Sequence, residues 1–298
     1  MKKIKEKSKN TKFFNILGFS ILLLQFLLVY IPCLWGIMQT FKTNEQWMTD
    51  KLGFPTDATL DAYSLFFKYF YVDVIKNGIP RKVYFEETVL NTVLYAGGTS
   101  FLQFIVQFST AYVVYKYANF KASKIVFFTI IVALNLPLQG SVAAQLKLYH
   151  IIGLYDNMVG MWILAAHPLS FQFLLFHAAF SSVPKDLFEA AEIDGAGRVK
   201  IMVKIAMPLV MGMVILHFVG SFISAWNNYA TCLMFMPSYP TVGYALYKFN
   251  LATTPPQVAH STVKLAAAVI CALPMIGLFA IFGNKMMNGV SMAGGIKG

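Results

Sequence analysis

The sequence predicts an all-α integral membrane protein with six transmembrane helices. Composition points there first: 57% of the 298 residues are hydrophobic and only 12% are charged, with a mean hydropathy of +0.61. A soluble domain carries about 25% charged residues. The placement of charge points there second. Asp, Glu, Lys and Arg are absent from 13–41, 88–115, 125–146, 157–184, 205–247 and 265–284. The shortest of these runs holds 20 residues, and about 20 apolar residues cross the hydrocarbon core as a helix.

The elements follow in order. Met1–Lys12 carries six lysines and reads as a basic tail. The uncharged run behind it is far longer than the roughly 7–15 apolar residues of a cleaved signal peptide, so it is expected to stay as a helix over about 13–41. Further helices are expected at about 88–115, 125–147, 157–183, 208–236 and 263–286. Pro237 and Pro240 break the longest run, so it is given one span rather than two. The segment 42–87 is the longest stretch outside the spans, and its Trp47, Tyr63, Phe66, Phe67, Tyr69 and Tyr71 suit a membrane–water interface. A loop at 184–207 and a tail at 287–298 complete the chain.

Orientation comes from the basic residues. With the N-terminus inside, inner segments hold 15 Lys and Arg and outer segments 9, while 8 of the 13 acids fall outside. Both termini are expected on the cytoplasmic side of the membrane. The formal net charge of +11 belongs beside apolar runs, which excludes a nucleic-acid-binding face. Cys33, Cys232 and Cys271 lie inside apolar runs without CxxC spacing, so neither disulfides nor a metal site is expected. His167, His177 and His217 fall within the expected spans and are read as neutral side chains bonded to neighbouring helices.

The loop at 184–207 is the most informative stretch. Pro184 suits a first helical turn and Asp186 the positive end of that helix. At 100° per residue, Leu187, Ala190 and Ala191 share one small apolar face, with Lys185, Glu189 and Glu192 opposite. Gly195 and Gly197 allow a sharp reversal. A second amphipathic stretch then sets Val199, Met202, Val203 and Ala206 against Arg198, Lys200 and Lys204, and Pro208 separates it from the fifth span. Periodicity alone leaves an ordinary amphipathic connector and a mechanical contact equally open.

Glu189-Ala190-Ala191, Asp194-Gly195-Ala196 and Pro208 resemble, in residues and spacing, the EAA loop of binding-protein-dependent ABC importer permeases. The resemblance extends over most of the chain: Asn91-Thr92 opening the second helix, Ala165-Ala166-His167-Pro168 in the fourth, Trp226-Asn227-Asn228-Tyr229 in the fifth. Ala293-Gly294-Gly295-Ile296-Lys297-Gly298 is similar to the terminus of maltose-type sugar permeases, with His167 and Gly295 departing from the usual pattern.

The resemblance implies the type I importer permease fold and a non-catalytic subunit in the plasma (inner) membrane of a prokaryote. No GxxxxGK[ST] loop and no HExxH or GxSxG motif occurs, so no catalytic residue and no cofactor is assigned to the chain. ATP and Mg would sit on a separate ATPase. By the same resemblance Leu187, Glu189, Ala190, Ala191, Asp194, Gly195, Ala196 and Pro208 would couple to that ATPase, and the tail at 293–298 would reach it. A second permease subunit, an extracellular solute-binding protein and a sugar or oligosaccharide complete the expected partners, with lipid around the spans and no nucleic acid. Asn135, Gln139, Trp226, Asn227, Asn228 and Tyr229 are the candidate pathway residues, since a hydroxylated solute needs hydrogen-bonding side chains and aromatic faces. Pro137, Pro168 and Pro274 are expected to kink helices. The alternative, an ion-gradient-driven secondary transporter, would place charge at mid-membrane, and the six runs hold none.

Overall fold

The computed structural model describes residues 2–76, 78–136 and 142–293. The chain divides into two compact units, Met1–Tyr69 with Phe249–Ile270, and Phe70–Lys248 with Cys271–Gly298.

The first unit opens with α1 (Lys2–Gln39), which continues through the basic tail rather than starting after it. Its stretch Phe14–Gln39 buries none of its most apolar window. A surface of that size is met by lipid or another apolar partner, not by water. α2 (Asn44–Thr49) is capped by Thr43, whose side chain accepts from the Gln46 amide at 3.2 Å. α3 (Asp61–Tyr69) buries Phe66, which meets Phe249 edge-on with ring centroids 6.1 Å apart. Lys42 is 1% exposed, and its ammonium donates to the Asp50 carbonyl at 2.6 Å.

The second unit begins with an antiparallel hairpin that the sequence reading did not include, β1 (Tyr71–Lys76) and β2 (Ile79–Tyr84), in the register Tyr71↔Tyr84 to Lys76↔Ile79. It leads into α4 (Phe85–Lys116), whose 32 residues reach about 48 Å at 1.5 Å per residue. α4 is the spine of the unit. α5 (Lys121–Asn135), α7 (Met158–Ala165), α8 (Phe171–Ser181) and α12 (Met211–Asn227) pack on it. α6 (Val142–Ile151) precedes α7. Gly98 is what lets α7 come close. A Cβ there would lie 2.2 Å from Cε2 of Trp162, so the indole occupies the space a side chain would need.

Three expected spans appear in pieces. The 157–183 helix is broken between α7 and α8, because Pro168 offers no N–H and disfavours helix in the residue before it. Ser170 restarts the chain as an N-cap, accepting from the Phe173 amide at 3.2 Å. The 208–236 helix ends at Asn227, and α13 (Ala230–Phe235) follows after extended backbone at Asn228. In the 125–147 region α5 stops at Asn135 and α6 starts at Val142. Pro137 and Gln139 lie outside the described residues. Among the described residues, Phe14–Gln39, Phe85–Lys116 and Ser261–Met286 are helices long and apolar enough to cross a membrane alone. α14 (Val242–Leu251) and α15 (Ser261–Ala293), which contains Pro274, straddle both units, with a short 3₁₀ turn at Pro256–Ala259 between them.

Polar side chains tie the second unit together internally. Asn91 donates to the Pro240 carbonyl at 3.2 Å, and the hydroxyl of Thr92 accepts from the Val242 amide at 2.8 Å. Near the hairpin, Ser238 donates its amide to Asp156 at 2.9 Å and its hydroxyl to the Ile75 carbonyl at 3.2 Å. Such bonds fix neighbouring segments where no water competes.

Candidate coupling elbow and transmembrane cavity

The loop at 184–207 folds as an elbow. α9 (Asp186–Ile193) opens with Asp186 and Glu189 in its first turn, where acids favour the helix N-terminus. Its end is set by Gly195 at φ +77°, a left-handed conformation open to glycine. The Ala196 amide then bonds back to the Ala191 carbonyl at 3.0 Å, closing the turn. α10 (Arg198–Ile201), a π turn at Met202–Ala206 and α11 (Met207–Leu209) form the second arm.

Pro208 does not end this arm. The π turn closes with the Met207 amide on the Met202 carbonyl, and the helix runs through the proline, which has no N–H to place. The break falls at Val210, where φ −109° and ψ 23° leave the helical region and the arm bends by 82° into α12.

The faces of α9 also differ from the expected ones. Phe188 (7% exposed) and Ala191 are buried, while Leu187 and Ala190 face outward. Phe188 sits among Tyr112 and Tyr115 of α4, with ring centroids 6.3 and 6.1 Å away. Lys116 at the end of α4 pairs with Glu192. In the second arm Ile201 and Ala206 are buried, joining Phe108, Phe176, Phe180 and Met213 in the core that supports the elbow. Outward lies a surface whose exposed apolar residues include Leu187 (45%), Ile193 (86%) and Val199 (70%). Asp194 and Pro208 are exposed with them, and Ala196 is half-buried. Glu189 borders a groove of about 250 Å³ with Lys185, Lys116 and Glu192. Sequence reasoning missed Phe188 and Lys116; the i, i+3 pair Phe188/Ala191 was the available signal for the buried face.

A second cavity, of about 220 Å³, lies between α4, α12 and the break joining α7 to α8. α4 lends it Tyr95, Thr99, Gln103 and Gln107, one residue every four, which is a single helical stripe. Ser221 and Ser224 face it from α12, and Gln172 from α8. Of the candidate pathway residues, Asn228 lines this cavity and its Oδ1 accepts from the Thr231 amide at 3.0 Å. Trp226 is buried and donates to the Cys271 carbonyl at 3.0 Å. Asn227 and Asn135 are exposed and bond back to their own helices, at Ile223 and Ile131. Tyr229 stacks on Tyr247 with centroids 4.6 Å apart. Gln139 and the tail at 294–298 lie outside the described residues. The sequence reading did not single out the α4 stripe; polar residues at four-residue spacing inside an apolar run were the available signal.

Comparison with known proteins places this arrangement. A family model described as "Binding-protein-dependent transport system inner membrane component" matches residues 93–287, well over half of the chain. The inner membrane ABC transporter permease protein YcjP of Escherichia coli is 29% identical over 153 residues, covering 51% of this chain and 54% of that protein. The chain thus spans about half the length of that relative. The glucose import system permease protein GlcU of Saccharolobus solfataricus is 26% identical over 90% of this chain and 91% of that one. A bacterial ABC transporter that imports the acidic polysaccharide alginate shares the fold, with a TM-score of 0.76 at 19% identity over 92% of this chain and 96% of that one. The chain is an integral membrane protein and belongs to the family of inner membrane components of binding-protein-dependent transport systems.

Proposed function

We propose that the chain is the membrane-spanning permease subunit of an ATP-driven, binding-protein-dependent importer of sugars or oligosaccharides. It forms half of the translocation pathway and couples to a separate ATPase through the elbow. One observation carries the coupling assignment. The elbow presents Leu187, Ile193 and Val199 outward while Phe188 and Ala191 anchor it to the core, so force on the outer surface passes into α4 and α12. An exposed apolar patch backed by a rigid core suits a docking surface. Glu189, Ala190, Asp194, Gly195, Ala196 and Pro208 belong to that contact.

In this reading six spans cross the membrane, three of them segmented. α7 and α8 hold 8 and 11 residues; together they reach about 28 Å, comparable with a hydrocarbon core of about 30 Å. Both termini and the elbow are cytoplasmic, and the hairpin faces outward towards the solute-binding protein. ATP and Mg belong to the ATPase subunits, and a second permease, in a heterodimer, supplies the other half of the path. Glucose import in the name of one relative and alginate import in a structural neighbour support a carbohydrate substrate.

The test is a pull-down of the tagged chain from detergent-solubilised native membranes, with co-extracted chains identified by mass. A second permease, an ATPase and a solute-binding protein are expected. A chain that emerges alone and supports ATP-independent uptake after reconstitution would overturn the reading.

A further inference from the structure

The cavity between α4, α12 and the α7–α8 break has a chemistry of its own. Tyr95 lies about 15 Å and Gln107 about 33 Å from the start of α4, taking 1.5 Å per residue, so the cavity lies across the middle of the span. Its lining contains no Asp, Glu, Lys or Arg. Beside His167, its polar groups are amides and hydroxyls, which both donate and accept.

Gln107 is the telling residue. It is 2% exposed, and its Nε2 donates to the His167 carbonyl at 3.3 Å, which fixes the amide. Its Oε1 is buried with no hydrogen-bond partner. A buried acceptor left without a donor is unfavourable, and such groups call for an explanation. The His167 carbonyl that holds it comes from the helix break at Pro168, so the break serves to orient the amide.

We infer that this subunit itself binds the transported solute, that the solute is a neutral polyhydroxylated one, and that Gln107 is a specificity-determining residue whose Oε1 accepts a solute hydroxyl. Gln103, Gln172 and Ser224 offer further hydroxyl-matching groups around it. An anionic sugar would meet no Lys or Arg in this lining, and an uncompensated charge at mid-membrane is strongly disfavoured. Hydrogen-bonding sites discriminate sharply because a mismatched partner leaves their own polar groups unpaired. The inference rests on the importer reading and adds the subunit that holds the solute and the sign of its charge.

The test uses the chain with its co-extracted subunits, reconstituted in vesicles containing ATP. Labelled maltotriose, cellotriose and xylotriose are the neutral probes, and trigalacturonate the acidic one. ATP-driven accumulation of at least one neutral probe is expected, with trigalacturonate excluded. Gln107→Leu and Gln103→Leu should each raise the KM for that probe about five- to tenfold, as loss of one hydrogen bond does, with ATP hydrolysis preserved. Gln103 is only half-buried, so its variant folds even if the other does not. Ser224→Arg, at an exposed position, should admit trigalacturonate. Uptake of trigalacturonate alone, unchanged KM in both glutamine variants, or intact ATP hydrolysis with no probe transported would each overturn the inference while leaving the importer reading standing. Absence of any co-extracted ATPase would overturn both.

Discussion

Lys116 and Glu192 form an ion pair that joins the last residue of α4 to the elbow helix α9. One turn below it, Phe188 of the same helix packs on Tyr112 and Tyr115. The elbow helix α9 is therefore held to the spine of the unit by a polar contact as well as an apolar one. Magnitudes decide which dominates. Glu192 is 47% exposed, and pairs open to water contribute about 0.2–1 kcal/mol. A buried phenylalanine truncated to alanine costs about 3–5 kcal/mol.

Phe188→Ala should therefore uncouple the elbow and Lys116→Met should only weaken it. ATP-driven uptake is expected to be nearly lost in the first variant and reduced less than about threefold in the second, the figure that 0.2–1 kcal/mol allows. Exchanging the charges, Lys116→Glu with Glu192→Lys, should restore most of the loss seen in either single reversal. Trypsin sensitivity of the elbow in membrane vesicles gives a second readout, with Phe188→Ala the most readily cut. Equal effects of Lys116→Met and Phe188→Ala would show that the ion pair, not the aromatic contact, carries the coupling.

Gly195 sets the angle between the two arms of the elbow. At φ +77° a side chain costs about 1–2 kcal/mol, less for asparagine, while proline is confined near φ −65° and cannot adopt the turn. Uptake is expected to fall in the order glycine, asparagine, alanine, proline at this position, with Gly195→Pro inactive. Glu189→Lys should also abolish uptake. Both variants should still be found in the membrane fraction at wild-type amounts, since both positions are exposed and neither lies within a span. Normal transport by both would remove the elbow from the mechanism.

What the sequence made legible follows from how each signal is encoded. α1, α4 and α15 were readable because an uncharged apolar run of sufficient length has one stable outcome in lipid. The elbow was readable because Gly195 and the acids of α9 announce a turn and a helix start. The direction of α9 was not. Leu187, Phe188, Ala190 and Ala191 are all apolar, and only the tertiary neighbours Tyr112 and Tyr115 decide that Phe188 turns inward. The hairpin escaped because Pro80 argues against a strand. It pairs with Ile75 at the last register position but one, where a missing donor is tolerated. The alternation in Tyr71–Lys76 and the Asn77-Gly78 pair were the signals for it. Of the cavity, Asn228 was legible. Gln107 was not, because its meaning depends on a carbonyl sixty residues away that Pro168 releases.

Gly98 and Trp162 test how closely α4 and α7 meet. A Cβ at residue 98 would overlap the indole at 2.2 Å, so the ring must move or the helices part. Gly98→Ala should destabilise the protein by about 1–3 kcal/mol, the usual range for overpacking. Trp162→Leu in the same chain should recover much of this, because the smaller side chain vacates the space. Thermal unfolding in detergent, followed for the two single variants and the double, measures the coupling. Additive losses would mean that the two positions do not meet.

The turn around Asp50 is expected to be sensitive to acid. The Gly53 amide, donating to Asp50 Oδ1 at 2.9 Å, holds the carboxyl below its ordinary value of 3.8; burial opposes this, and the Leu52 amide at 3.2 Å and nearby Lys42 add to the lowering. A carboxylate whose folded pKa is lowered binds fewer protons in the folded state. Its contribution is complete above the unfolded value and disappears as pH falls through the lower folded one. The turn is therefore expected to keep its protection from hydrogen exchange at pH 5 and lose it below pH of about 3.8, with amides 51–54 exchanging first. Asp50→Asn should remove that acid dependence, since the amide oxygen still accepts from Gly53 but carries no titrating proton. Lys42→Met should leave the pH dependence in place, because the Gly53 amide is the larger cause. If Lys42→Met abolished it instead, the ammonium rather than the backbone would be setting the charge of Asp50.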